Sequence, residues 1–92
     1  MKTQFVSDLK TGDTVNSAFA IKFKKPPKNY RSVSKEGAWF ELRLGDKSGE
    51  ITGKYWGDDE TETTQLYQSV DKGDIIFIRG KVTVYNGIME IT

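Results

Sequence analysis

Trp39-Phe40-Glu41-Leu42-Arg43-Leu44, then the turn Asp46-Lys47-Ser48-Gly49, then Glu50-Ile51-Thr52-Gly53-Lys54-Tyr55-Trp56 is the stretch whose reading decides the fold. Phe40, Leu42 and Leu44 fall on one face and Trp39, Glu41 and Arg43 on the other, the period of two that a half-buried strand requires. The second run repeats the pattern, with Ile51, Gly53 and Tyr55 opposed to Glu50, Thr52, Lys54 and Trp56. Two alternating runs joined by a short turn predict a hairpin. With Ile51, Gly53 and Tyr55 turned inward, the pleat sends Thr52, Lys54 and Trp56 outward, beside Trp39, Glu41 and Arg43 of the paired strand.

Upstream, Val15, Phe19, Ile21 and Phe23 alternate with polar positions that include Lys22 and Lys24, which predicts a strand ended by Pro26-Pro27. Residues 26–37 then read as a long polar loop, and long loops are often functional. Further upstream, Phe5, Val6 and Leu9 precede the turn Lys10-Thr11-Gly12-Asp13. Downstream of Gly57, the run Asp58-Asp59-Glu60-Thr61-Glu62 places acids where a helix start favours them, and Leu66, Tyr67 and Val70 give an apolar stripe at helical spacing. A short helix is expected there, broken by Lys72-Gly73-Asp74. Residues 75–85 form a β-branched and aromatic run in which Gly80 predicts a bulge or bend. Asn86-Gly87 is a hairpin turn, and Ile88-Met89-Glu90-Ile91-Thr92 is the last strand. The sequence stops in mid-strand, which suggests that it was trimmed from a longer one.

Five strands with one short helix between strands 3 and 4 give an all-β OB-fold barrel, a single domain over residues 1–92. An SH3-like barrel is the competing reading, though it usually lacks a helix at that point.

The 92 residues contain neither cysteine nor histidine. That excludes cysteine nucleophiles, disulfides, Cys/His zinc sites and histidine general bases. We expect no enzyme activity, no cofactor and no metal; the acids of residues 58–62 lack a defined ligand spacing and are better used to start the helix. No run approaches the roughly 18 apolar residues of a membrane helix, and the N-terminus lacks the apolar stretch of a signal peptide. A cytoplasmic, soluble protein is expected. Fourteen basic against thirteen acidic residues leave a formal charge of +1, but Lys22, Lys24, Lys25, Lys28, Arg31 and Lys35 follow one another with no acid among them.

Ser48-Gly49-Glu50-Ile51-Thr52-Gly53-Lys54-Tyr55-Trp56-Gly57, then Val70-Asp71-Lys72-Gly73-Asp74-Ile75-Ile76, then Tyr85-Asn86-Gly87 resemble the nucleic-acid-binding OB-fold domains of archaeal single-stranded DNA-binding proteins and replication protein A. The resemblance spans most of the chain, and its most specific part is the Gly-x-Ile strand ending in Trp-Gly. It implies a module of DNA replication and repair, nucleoid-associated, in which the aromatics at Trp56 and Tyr85 stack on bases.

The residues themselves lead to the same chemistry. An indole facing outward beside cations suits a single strand, because every base has a π-face. Trp56, Tyr85 and Trp39 are the candidate stacking residues, with Tyr30 inside the basic loop. Lys54, Arg43, Lys28, Arg31, Arg79 and Lys81 are candidate backbone contacts, some of them free to pair with Glu41 and Glu90 instead. The bland reading of Trp56 is a core residue packed beneath the helix.

Binding should be sequence-tolerant. Two further functions compete. A second function is an accessory RNA- or DNA-binding domain of a larger nuclease, helicase or tRNA-handling enzyme; Phe5-Val6-Ser7-Asp8-Leu9, with Gly12-Asp13, is also similar to the N-terminal OB domains that precede metal-dependent 3′ to 5′ exoribonucleases. Alternatively, Ile75, Phe77 and Ile88, if outward, would form an apolar patch for a protein partner, another OB domain or a second copy.

Overall fold

The computed structural model describes residues 3–30 and 37–92. After a single 3-10 turn at Val6–Asp8 come β1 (Thr14–Asn29), β2 (Ala38–Asp46), β3 (Gly49–Gly57), α1 (Glu60–Gln68), β4 (Ile75–Tyr85) and β5 (Ile88–Ile91). The strands close on themselves in the order β1-β2-β3-β5-β4, with β4 returning to β1. All pairings are antiparallel except β3 with β5, which meet at Thr52–Glu90 and Gly53–Ile91. The expected five strands, with the helix between the third and the fourth, are present.

The decisive hairpin forms as its alternation predicts. β2 and β3 pair without a shift from Ala38–Gly57 to Asp46–Gly49. Their inward residues Phe40, Leu42, Leu44 and Ile51 join Leu9, Val15, Phe19, Ile21, Val82 and Ile91 in one buried core. Tyr55 also takes an inward position, where its ring stacks on Phe40 at 5.3 Å. It is nevertheless 45% exposed, because β5 pairs with β3 only as far as Gly53 and no strand covers the next inward position.

β1 departs from expectation twice. Its pairing with β2 slips between Ile21 and Phe23, so that Ile21 faces Leu44 and Phe23 faces Arg43. Such a bulge inserts one residue and reverses which face the following side chains take. Phe23, expected inside, is 54% exposed, and Lys24 turns inward in its place. The strand also runs through Pro26-Pro27 rather than ending there. A second slip between Lys25 and Lys28 accommodates the two prolines, which have no N–H to give to a ladder. The loop is correspondingly shorter than the expected 26–37, and residues 31–36 within it lie outside the described residues.

Gly80 shows no bulge: β1 and β4 stay in register from Thr14–Lys81 to Ala20–Ile75. A Cβ at Gly80 would lie 2.6 Å from the Thr92 carbonyl oxygen, so glycine is required by the close passage of the last strand. Asn86 (φ 52°) and Gly87 (φ 78°) form the expected tight turn.

The acidic run starts α1 as expected. Asp59 is the N-cap, its carboxylate accepting from the Glu62 amide at 2.7 Å, with Glu60 and Glu62 in the first turn. Tyr67 meets Phe40 edge-on at 5.5 Å and Val70 packs against the core, while Leu66 stays exposed. No helix among the described residues is long and apolar enough to cross a membrane.

Candidate nucleic-acid interface

Outward-facing residues of β2 and β3 carry an aromatic ladder. Trp39 and Trp56 are direct cross-strand partners, and their rings stack 5.1 Å apart at 29°. Tyr30, just past the end of β1, stacks on Trp56 at 6.1 Å and 16°. Its hydroxyl donates to the Gly57 carbonyl at 3.0 Å, which fixes the ring against the end of β3. Burial, and then the nearby Asp58 carboxylate, push the Tyr30 hydroxyl above the ordinary phenol range. Trp56 is 47% exposed; the indole is not part of the core.

β4 and β5 form the opposite wall. The turn at Asn86-Gly87 pairs Tyr85 with Ile88 and Thr83 with Glu90, and Tyr85 is 60% exposed. Between the walls, the Lys54 ammonium meets the Glu90 carboxylate at 2.9 Å, with side chains only 11% and 10% exposed. The same ammonium lies 4.6 Å from the Tyr85 ring centroid and 5.7 Å from that of Trp39. One cation thus ties both aromatic walls to a charge-neutral floor.

The resulting cleft encloses about 660 Å³ and is lined by Trp39, Trp56, Tyr30, Tyr85, Lys54 and Glu90, together with Lys28, Asn29, Thr83, Val84 and Thr92. That lies within the range of about 300 to 1,000 Å³ common for small-ligand sites. Lys28 stands on the rim, exposed, its ammonium 5.8 Å from the Trp39 ring centroid.

The candidate residues therefore divide. Trp56, Tyr85, Trp39, Tyr30, Lys54 and Lys28 converge on one cleft. Arg43 lies on the same outer face but outside the cleft, donating to Glu50 at 3.2 Å and Thr52 at 3.0 Å. Arg79 lines separate hollows beside Tyr55, between β3 and β4. Lys81 is exposed on β4 opposite Thr14, and Arg31 lies outside the described residues.

The basic run is less concentrated than its sequence implies. Lys24 turns to the end of α1, Lys25 pairs with Glu41 at 3.1 Å, and the Lys22 side chain covers Gly45. From sequence, Glu90 is only a possible ion-pair partner for an outward cation. The Asn86-Gly87 turn sets Glu90 opposite Thr83 and on the face away from Ile91, but its approach to Lys54 depends on the parallel pairing of β5 with β3.

Compared with known families, residues 23–92 match the family model described as OB-fold nucleic acid binding domain, named for the tRNA anti-codon. The chain belongs to that family. The match begins at Phe23 in the β1 bulge and takes in every wall of the cleft, and with the helix between β3 and β4 it decides against an SH3-like barrel. Nucleic acid binding is accordingly the activity of this OB-fold domain. No curated protein matches the chain.

Proposed function

We propose that this OB-fold domain is a non-catalytic module that binds single-stranded nucleic acid, DNA in the first instance, in the manner of single-strand-binding proteins and replication protein A. One observation carries the reading: a three-ring ladder, Trp39, Trp56 and Tyr30, faces Tyr85 across an open cleft whose floor is neutralised by Lys54 and Glu90. Flat rings attract the faces of bases, which a duplex keeps covered and a single strand exposes. A neutral floor does not attract phosphate, so the bases point down and the backbone runs along the rim past Lys28. The domain works in the cytoplasm on this reading, on single-stranded stretches of nucleoid DNA during replication and repair.

Tryptophan fluorescence titrated with oligothymidylate at low salt tests it. Quenching that saturates supports the reading, and its absence removes it. The family model's anti-codon name favours a second reading, an accessory domain that presents single-stranded RNA to a larger nuclease or helicase. Titration with oligouridylate of equal length separates the two by relative affinity, since stacking serves both sugars.

A further inference from the structure

Glu90 is a carboxylate nine-tenths buried in the middle of a ligand-sized cleft, and Lys54 is its single hydrogen-bonding or ion-pairing partner among the described residues. An ionised carboxylate has about four lone-pair sites, and an ammonium has three donors. The contact at 2.9 Å uses one of each. Acceptor capacity on Glu90 and donor capacity on Lys54 are left side by side between the aromatic walls. A structural ion pair alone would not need to lie between Trp39 and Tyr85 at the bottom of the cleft.

We propose that the Lys54–Glu90 pair reads the edge of one stacked base and selects guanine; the inference rests on the single-strand-binding reading above. Guanine presents an acceptor, O6, next to two neighbouring donors, N1–H and the N2 amino group. Lys54 donates to O6 and the Glu90 carboxylate accepts from N1–H and N2–H. Both are charge-assisted contacts, stronger than those between neutral groups. Thymine and uracil offer one donor between two acceptors, and adenine and cytosine offer one donor beside a ring-nitrogen acceptor. Each of these leaves a base acceptor facing the carboxylate, or carboxylate lone pairs desolvated and unfilled, which penalises them. Stacking elsewhere on the ladder stays tolerant of sequence, so selectivity is confined to one position of the bound strand.

Fluorescence anisotropy with a labelled nine-nucleotide oligothymidylate tests the proposal. The probes carry at their centre thymidine, or a single deoxyguanosine, deoxyadenosine, deoxycytidine or deoxyinosine. The deoxyguanosine probe is expected to bind at least about fivefold more tightly than the other three natural probes, the lower end of what one bidentate side-chain contact to a base supplies. Inosine lacks the N2 amino group and forfeits most of that gain. In Glu90→Gln, checked for folding by its melting curve, the preference for guanosine over adenosine collapses to within about twofold. Equal binding of all the probes by the unaltered protein, or inosine equal to guanosine, overturns the proposal, and both results are read without any variant. Failure of every probe to bind overturns the single-strand reading as well, and is a different result from equal binding.

Discussion

The Lys24 ammonium donates to the Val70 carbonyl at 2.7 Å and to the Tyr67 carbonyl at 3.2 Å, just beyond the last turn of α1. It lies 4.2 Å from the Tyr67 ring centroid and 3.8 Å from the Asp71 carboxylate. A cation at this end of a helix complements its dipole and satisfies carbonyls that the helix leaves open. Lys24→Met is therefore expected to lower stability by about 1.5 to 3 kcal/mol, the range for hydrogen bonds to a charged group. Urea denaturation checks this, and oligonucleotide affinity should not change, because Lys24 does not line the cleft.

Trp56→Ala should weaken oligonucleotide binding by about 1 to 3 kcal/mol, the value of one stacked base. The melting temperature should fall only slightly, since the indole is half exposed and outside the core. Calorimetric titration and a melting curve on one preparation check both statements. A large drop in melting temperature would return Trp56 to a structural role.

Lys28→Met should reduce the slope of log affinity against log salt by about 0.7, the contribution of one phosphate contact on a single strand. Lys25→Met should leave the slope unaltered, because Lys25 is already neutralised by Glu41. Titrations at several salt concentrations distinguish the two cations.

At Gly57, an added Cβ would lie 1.9 Å from the Thr63 hydroxyl and 3.1 Å from the Ala38 carbonyl oxygen. Gly57→Ala is expected to cost about 1 to 3 kcal/mol by overpacking where the helix meets β3. Removing the Thr63 hydroxyl in the same chain should recover part of the loss, and thermal unfolding of the single and double variants measures the coupling.

Tyr30 predicts an alkaline dependence. Burial and Asp58 raise the folded-state value of its hydroxyl above the ordinary phenol value. Once the pH passes about 10, the unfolded chain gives up the proton first, and stability declines until the folded hydroxyl also ionises. Tyr30→Phe should lose that contribution to the decline. Phenolate absorbance, followed with pH in both proteins, identifies the late-titrating group.

The sequence reveals the β2–β3 hairpin, the helix start and the final turn because each rests on local chemistry: strict alternation, an acid-rich N-terminus, and Asn86-Gly87 with positive φ. It misplaces Phe23 and Lys24 because a bulge reverses the faces without leaving a residue-type signature, and Lys24 finds its partners 43 and 46 positions away. Tyr55 has the right parity, but its exposure depends on how far β5 extends along β3. The same distinction runs through the candidate site. Trp39 and Trp56 follow from parity and register, whereas the pairing of Lys54 with Glu90 rather than Glu41 depends on the parallel contact that closes the sheet.

That parallel contact has a mechanical consequence. Among the described residues, β5 ties to β3 at two positions, Thr52 and Gly53, and the end of β3 that bears Trp56 is laddered to β2 alone. The tip is held instead by its ladder to β2, by the Tyr30 hydroxyl on the Gly57 carbonyl and by Thr63 of α1 packed against Gly57. Position of the Trp56 face is thereby fixed from the β2 and α1 side, and amide protons at the tip, laddered on one side alone, should exchange with solvent sooner than those at Thr52 and Gly53.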